Sequence, residues 1–186
     1  VEYEALEPLK FKFSVDYIIC GAGMASPDKY VSNPVETMLS NLTGVKNILE
    51  YALHMNVRRV VYISSSEVYG KKETSNQFSE GSYGIVNLDA IRSSYAVAKQ
   101  ASELLCKSYT SEYGVNTVIV RPGHVFGPTA SKKDKRISSD FAFKAANSIP
   151  LEMKSSGLQK RSYCYSVDAA AAILTVLLKG CSGEAY

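Results

Sequence analysis

A tyrosine and a lysine four positions apart have the residue types and spacing for acid–base chemistry. Tyr95 and Lys99 stand at the start of a helical pattern, and on a helix this spacing places both side chains on one face. A free tyrosine has a pKa near ~10, so its use as a base near neutral pH requires about 4 kcal/mol of differential stabilisation of the phenolate. A nearby ammonium group provides such stabilisation. The pair therefore predicts a tyrosine base whose pKa is lowered by a lysine.

A serine-rich turn precedes this pair in the chain. Ser64-Ser65-Ser66-Glu67-Val68-Tyr69-Gly70 follows the apolar run at 59–63, and a serine at the carboxyl end of a strand could hold a substrate hydroxyl against the phenolate. A Tyr-x-x-x-Lys spacing alone occurs often by chance, as an ordinary surface pair. The succession of strand, serine turn and Tyr/Lys pair favours an active site over that alternative.

The composition is that of an ordinary globular chain. It has 186 residues, of which 46% are apolar and 21% charged, and its net charge of +3 gives no reason to expect nucleic acid or a membrane as partner. The four cysteines are widely spaced in apolar patterns, which predicts buried reduced thiols and no metal site. No run approaches the ~18 apolar residues of a membrane span, and no signal pattern opens the chain. We therefore expect a soluble, cytoplasmic protein.

Apolar strands and amphipathic helices alternate along the chain. The expected strands lie at 15–20, 59–63 and 117–120, and long helices are expected from Pro34 and from Tyr95, the second ending at Gly114. This alternation predicts an α/β fold with a parallel sheet that binds ligands at the carboxyl ends of its strands. Further helices are expected at 139–146 and 168–178. Asp168 is expected to be the N-cap of the last helix.

Several short motifs together point to a known family. They are Ala25-Ser26-Pro27-Asp28-Lys29-Tyr30, Asn33-Pro34 with Thr37, Asn41-x-x-Gly44-x-x-Asn47, the run from Ser64 to Gly70, Ser79-Glu80, Tyr95 to Lys99, Arg121-Pro122 to Gly127-Pro128, and Gly157-x-Gln159-x-Arg161 to Asp168. With these motifs the sequence resembles the extended short-chain dehydrogenase/reductases that modify nucleotide sugars. Within that family it is most similar to the UDP-glucuronate decarboxylases, with dTDP-glucose 4,6-dehydratases and UDP-sugar 4-epimerases as relatives.

The resemblance implies a Rossmann-like sheet, NAD as cofactor and a nucleotide-diphosphate sugar as substrate. NAD would take a hydride from C4 of the sugar while Tyr95 removes the hydroxyl proton. Lys99 would lower the pKa of Tyr95 and hold the cofactor ribose, and Ser65 would orient the C4 hydroxyl. For Glu67 we hypothesise proton handling near C5; the alternative is a carboxylate that caps local backbone donors.

The resemblance also implies the binding residues. Those expected at the cofactor are Ala22, Gly23, Ser64, Tyr95, Lys99 and Pro122. For Ala22 and Gly23 the alternative is a plain turn between a strand and a loop. Those expected at the substrate are Tyr30, Ser66, His124, Arg136 and Arg161. For Arg161 the alternative is a surface salt bridge, and for Arg136 it is a solvated loop shared with Lys132, Lys133 and Lys135. Family members commonly form homodimers through two long helices, here those that begin near Pro34 and Tyr95.

A dinucleotide-binding domain normally begins with a glycine-rich turn, but no Gly-x-Gly-x-x-Gly or Gly-x-x-Gly-x-x-Gly occurs in the sequence. We therefore expect part of a longer enzyme, without the N-terminal glycine-rich unit and the usual C-terminal portion. Residues 1–130 would form a partial NAD-binding domain, and 131–186 part of the nucleotide-sugar region. The alternative from another class is a catalytically silent fragment or dimerising module.

The reaction type is left open between three branches. Ser66 stands where dehydratases have an acidic residue, which counts against dehydration because elimination of water needs a general acid. Glu67 counts against epimerisation, since the epimerases lack it. His124 and Asp140 each stand where asparagine is usual in the nucleotide-diphosphate region, so the sequence leaves the identity of the sugar nucleotide open.

Overall fold

Three parallel strands form the central sheet of the computed structural model, which describes residues 14–71, 77–128, 136–153, 155–158 and 160–186. The strands are β1 (Tyr17–Cys20), β2 (Arg59–Ile63) and β3 (Thr117–Val120), in the order β1-β2-β3. Ile18 lies opposite Val60, and Val61 lies opposite Val118. The predicted parallel α/β sheet is confirmed.

Two long helices cover one face of this sheet. The helices α1 (Pro27–Ser32) and α2 (Pro34–His54) follow β1, and α3 (Ser94–Tyr113) follows a long connection after β2. Leu49 of α2 and Cys106 of α3 are fully buried in one core with Tyr62 of β2. As predicted, α2 begins at Pro34, and α3 ends before Gly114, whose φ of 73° is the left-handed conformation that glycine adopts at little cost.

The opposite face of the sheet packs against the second half of the last helix, α5 (Ser166–Lys179). Its residues Ile173, Val176 and Leu177 pack against Val61, Val118 and Val120. The prediction that Asp168 caps this helix is wrong. The helix begins at Ser166, directly after a short strand, so Asp168 lies in its first turn, where a carboxylate still interacts favourably with the helix dipole.

The chain divides into two compact units. The first contains the described residues up to Pro122 together with Ile173–Tyr186, and the second is Gly123–Ala172. In the second unit β4 (His124–Phe126) pairs in parallel with β5 (Tyr163–Tyr165), and α4 spans Ile137–Ala146. The two strands of this unit are absent from the sequence prediction because three residues are too few to show a strand pattern.

The cysteine prediction is correct for only part of the set. Cys20 and Cys106 are buried free thiols, whereas Cys164 is half-buried and Cys181 is exposed. Within the described residues no group of three or more His, Cys, Asp or Glu side chains is placed to hold a metal ion. None of the described helices combines the length and apolar character needed to cross a membrane.

Candidate active site

The serine-rich turn lies at the carboxyl end of β2, as predicted. Ser64 directly follows the strand and is buried. Ser65 begins a 3₁₀ turn over Ser66–Tyr69, and its Oγ accepts a hydrogen bond from the Glu67 amide at 3.2 Å. The Ser66 amide donates to the carbonyl of Pro122 at 3.0 Å. This bond joins the turn to the chain that leaves β3, and it places Pro122 beside the turn.

Tyr95 and Lys99 lie in the first half of α3, and both are buried, with 6% and 4% of their surfaces exposed. The Lys99 ammonium donates a hydrogen bond to the carbonyl of Ile63, the last residue of β2, at 2.8 Å. It lies 4.7 Å from the centroid of the Tyr62 ring and 5.8 Å from that of Tyr95. Helix and turn thus bring Tyr95 and Lys99 to the end of β2.

The acidity of Tyr95 differs from the sequence expectation. Burial raises the pKa of Tyr95, and the negative charge of Glu67 adds to this, while side-chain hydrogen bonds with Ser65 and Tyr30 act in the opposite direction. The Lys99 ammonium was expected to lower the pKa of Tyr95, but it does not determine the net shift of that pKa. The physical reason is that the ammonium is hydrogen-bonded to the Ile63 carbonyl, and that desolvation disfavours a buried phenolate.

Lys99 is itself perturbed by burial. Loss of hydration lowers the pKa of Lys99 to about 8, whereas coulombic interactions with Cys20, Glu103 and Cys106, in decreasing order, partly oppose this change. An ammonium with this pKa exchanges its proton near physiological pH. It can therefore act as a charge or as a proton carrier in the site.

Tyr30 of α1, one of the predicted substrate residues, is buried against Tyr95. Its hydroxyl donates to the carbonyl of Ala25 at 2.7 Å, and its own carbonyl accepts from Ser94 Oγ at 3.3 Å. The structure therefore places Tyr30 beside the candidate base.

Glu67 is paired with an arginine that the sequence analysis did not single out. Arg92 Nη1 donates to Glu67 Oε2 at 3.2 Å and Nη2 donates to Oε1 at 3.0 Å. The side-chain cap of the turn is Ser65, not Glu67. A signal for Arg92 exists in the sequence, because it stands three residues before Tyr95; in the structure it lies in the short 3₁₀ turn Ile91–Ser93 that precedes α3.

Asn41, on α2, belongs to one of the sequence motifs but was not expected among the site residues. Its side chain is 1% exposed, and Nδ2 donates to the carbonyls of Met24 and Thr37 at 3.1 and 2.8 Å. Its Oδ1 has no hydrogen-bond partner among the described residues. A Cβ atom on Gly23, whose φ is +145°, would overlap this oxygen. The turn after β1 contains the exposed Ala22 and Gly23. It leaves an open space in front of Asn41 Oδ1, a hydrogen-bond acceptor, and a side chain at position 23 would fill that space.

The remaining predicted substrate residues belong to the second unit. Arg161 Nη1 lies 3.3 Å from Nε2 of His124, so the structure brings these two predictions together. Arg136 directly precedes α4 and is exposed. Asp140 forms an ion pair with Lys144 one turn later, at 2.8 Å. The predictions for Lys132, Lys133, Lys135 and Gln159 lie outside the described residues.

Comparison with curated proteins gives a consistent group of relatives. The chain is 32% identical over 177 residues to UDP-glucuronic acid decarboxylase 1 of Xenopus tropicalis, covering 95% of this chain and 41% of the relative. It is also 32% identical to UDP-glucuronic acid decarboxylase 6 of Arabidopsis thaliana, covering 95% of this chain and 50% of the relative. The chain thus spans about half the length of these relatives.

Solved structures support the same fold. The dTDP-glucose 4,6-dehydratase DesIV of Streptomyces venezuelae, solved with NAD, matches with a TM-score of 0.80 and 26% identity over 92% of this chain and 51% of its own. The UDP-glucose 4-epimerase of Thermus thermophilus, also solved with NAD, matches with a TM-score of 0.80 and 26% identity over 92% of this chain and 55% of its own. Both comparisons agree with a partial Rossmann-like domain.

The sequence also matches a family model over nearly its whole length. Residues 2–186 match the model of the NAD dependent epimerase/dehydratase family. This match confirms the resemblance carried by the serine-rich turn and the Tyr95/Lys99 pair. The chain belongs to the NAD-dependent epimerase/dehydratase family.

Proposed function

We propose that this chain carries the catalytic centre of an NAD-dependent enzyme that modifies a nucleotide sugar through a 4-keto intermediate, most like a UDP-glucuronate decarboxylase. The observation that carries the proposal is the meeting of Tyr95 and Lys99 with Ser65 at the carboxyl end of β2. This is the edge of a parallel sheet at which α/β proteins bind ligands. The relatives named above support the reaction class.

The residues around the turn after β1 fit a dinucleotide. The unpartnered, buried Asn41 Oδ1 offers an acceptor for an amide or hydroxyl, and Gly23 leaves the space in front of it open. Ala22, Ser64 and Pro122 would line the same cofactor, and Lys99 has ammonium protons beyond the one that Ile63 accepts. Bound NAD would supply the acceptor for a hydride from C4 of the sugar.

Tyr95 is proposed as the base for the C4 hydroxyl. Its Oη would take the hydroxyl proton, while Ser65, already hydrogen-bonded to Tyr95, would hold the substrate oxygen in line. Because burial raises the pKa of Tyr95, stabilisation of the phenolate must come from hydrogen bonds and from the nearby Lys99 ammonium. The buried tyrosine thus depends on the charge state of Lys99.

Decarboxylation is the branch that we favour. A ketone at C4 makes a C6 carboxylate a β-keto acid, and loss of carbon dioxide leaves its electron pair in an enolate that is then protonated at C5. Return of the hydride to C4 would then give the UDP-pentose. Glu67 is proposed to handle this proton. Its carboxylate is held by Arg92, so uptake of a proton must weaken that pair. Dehydration and 4-epimerisation remain the alternatives within the same site.

The residues proposed at the nucleotide sugar are those that the sequence resemblance implies, and they are taken here unit by unit. In the second unit a guanidinium such as that of Arg161 suits bidentate contact with phosphate oxygens, and His124 and Arg136 are proposed with it. In the first unit Tyr30 and Ser66 are proposed at the sugar. We propose that 1–130 form the cofactor part and that 131–186 contribute to the substrate region, with Ile173–Tyr186 belonging to the first compact unit.

A dimerising role is a second candidate, supported by one helix face. Val35, Met38, Leu39 and Leu42 recur at helical spacing on α2 and are 37–62% exposed. An exposed apolar stripe of this kind is typical of a protein interface. We propose that its occupant is a second copy of the chain, because the neighbouring α3 packs beside it and the family resemblance implies a helix-mediated homodimer.

Calorimetric titration of the chain with NAD, followed by UDP-glucuronate and dTDP-glucose, tests the proposal. We expect NAD to bind to the wild type and to bind more weakly to Lys99→Met. In a product assay with UDP-glucuronate, we expect carbon dioxide and a UDP-pentose to form with the wild type but not with Tyr95→Phe. A dehydrated product from dTDP-glucose would instead select the dehydratase branch. A folded chain that binds no NAD would contradict the proposal for this chain and favour the dimerising module.

A further inference from the structure

One buried carboxylate stands beneath the candidate site without a place in the proposed chemistry. Glu103 lies on α3 four residues after Lys99, and its side chain is 7% exposed. Arg121 donates to both of its oxygens, from Nε to Oε1 at 2.9 Å and from Nη2 to Oε2 at 2.6 Å. The Ser64 hydroxyl donates to Oε1 at 2.5 Å. Both oxygens of Glu103 therefore accept side-chain hydrogen bonds, and the carboxylate is ion-paired with Arg121.

The arginine of this ion pair also contacts residues other than Glu103. Arg121 directly follows β3; its Nη1 donates to the carbonyl of Glu80 at 2.7 Å, and its guanidinium lies 5.0 Å from the centroid of the Tyr69 ring. Its backbone amide donates to the carbonyl of Tyr186 at 2.8 Å. Two of the three guanidinium nitrogens of Arg121 therefore donate to Glu103, and the third donates to the carbonyl of Glu80.

The ion pair connects the parts of the site. Ser64 and Arg121 stand immediately after β2 and β3, and Glu103 stands on the helix that carries Tyr95 and Lys99. A buried ion pair commonly adds little net stability over apolar residues of the same volume. Its placement between two strand ends and one helix therefore calls for an explanation other than stability.

We propose that Glu103 is a positioning residue for Lys99 and for the serine-rich turn. Its carboxylate, fixed by Arg121, keeps a negative charge one helical turn from the Lys99 ammonium and holds Ser64 at the end of β2. Together with the weaker Cys106 on α3 and the stronger Cys20 on β1, which also raise the pKa of Lys99, this favours the charged form of the buried Lys99 that assists Tyr95. The role rests on the proposed function, since it matters only if Tyr95 and Lys99 perform the proposed chemistry.

A second consequence concerns Ser64. Its hydroxyl proton is directed at Glu103 and its amide donates to the carbonyl of Val120, so towards a ligand the Ser64 side chain offers only oxygen lone pairs. Ser65, whose Oγ faces the Glu67 amide and Tyr95, supplies the hydroxyl of the site. The ion pair of Glu103 and Arg121 thus gives the adjacent residues Ser64 and Ser65 different roles.

The test is an NMR titration of Lys99 in the chain labelled with ¹³C-lysine, with the Lys99 signal assigned by its loss in Lys99→Met. In Glu103→Gln, which keeps the side-chain volume but removes the charge, we expect the midpoint of the Lys99 titration to fall by about one pH unit, a tenfold change in acidity. The control Glu50→Gln, on α2 beside Lys46, should leave the midpoint unchanged. An unchanged midpoint in folded Glu103→Gln would overturn the proposal.

Glu103→Asp keeps the test decisive if Glu103→Gln does not fold. Glu103→Asp retains the negative charge, so the midpoint of the Lys99 titration should stay near that of the wild type. A fall of the midpoint by one pH unit in this variant would contradict the proposal. The titration needs neither NAD nor substrate. A chain that shows the expected Lys99 shift but binds no NAD would contradict the proposed function alone.

Discussion

The ring of Tyr30 lies flat against the ring of Tyr95, with their centroids 4.3 Å apart and their planes within 7° of each other. Tyr30 is 5% exposed, and its hydroxyl is anchored to the carbonyl of Ala25. Stacked aromatic pairs contribute about 0.5–1.5 kcal/mol beyond the burial of their surface. The candidate base therefore has one wall supplied by α1, a helix of six residues.

Two substitutions of Tyr30 separate the ring from the hydroxyl. Tyr30→Phe keeps the stack and loses the bond to Ala25, so we expect a loss of about 1 kcal/mol in the free energy of unfolding. Tyr30→Ala also removes the ring and leaves a cavity against Tyr95, for which we expect a loss of about 3–5 kcal/mol. Denaturant unfolding measures both. Equal losses would show that the stack contributes nothing.

Lys99 should make the stability of the chain depend on alkaline pH. Burial lowers its pKa to about 8 from an ordinary value of 10.5, so between these pH values the unfolded chain binds more protons and wild-type stability rises with pH. Relative to Lys99→Met, the wild type should gain about 3 kcal/mol over this window. Urea unfolding at a series of pH values measures the difference.

The matched control for this titration is Lys46→Met, since the Lys46 side chain is 57% exposed. A wild-type advantage over Lys99→Met that stays constant from pH 8 to 10.5 would show that Lys99 is not perturbed in the folded chain.

Glu67→Gln tests the proposed proton transfer at C5. Glu67 and Arg92 are 39% and 58% exposed in their side chains, and such a pair contributes no more than about 1 kcal/mol to folding. The variant should therefore fold normally but lose product formation from UDP-glucuronate by about 100-fold. Glu112→Gln, at an exposed site near the end of α3, is the control. Unchanged product formation would remove Glu67 from the mechanism.

Gly23→Ala tests the space that the turn after β1 leaves open. The new Cβ would overlap Asn41 Oδ1, and the φ of +145° is unfavourable for alanine. We expect a loss of about 1–3 kcal/mol in stability and at least tenfold weaker NAD binding by calorimetry. Gly81→Ala, where an added Cβ meets nothing within 4 Å, should change neither quantity. NAD affinity unaffected by Gly23→Ala would place the cofactor elsewhere.

The apolar stripe on α2 predicts self-association. Leu39→Lys places a charge in the middle of the stripe, so we expect it to shift a dimer toward monomer by at least tenfold in the dissociation constant, as measured by sedimentation equilibrium. Glu36→Lys adds the same side chain on a neighbouring, exposed part of the helix and should leave the equilibrium nearly unchanged. A wild-type chain that stays monomeric at all concentrations would contradict the dimer proposal.

Local patterns in the sequence determined the elements and the identity of the central residues. The strands at 59–63 and 117–120 and the helix that ends before Gly114 occur as predicted, because hydrophobic periodicity, proline and glycine act over a few neighbouring residues. The four-residue spacing likewise placed Tyr95 and Lys99 on one face of a helix. Such features need no knowledge of the rest of the chain.

Only the tertiary structure decided which groups meet these residues. Arg92 reaches Glu67 from 25 positions away, and Ser64 reaches Glu103 from 39 positions away. No local pattern encodes such contacts, since they depend on how α1, α3 and the strand ends pack. The acidity of Tyr95 likewise depends on how deeply packing buries its ring. The sequence shows the tyrosine and the lysine, but desolvation and the direction of hydrogen bonds exist only in the folded chain.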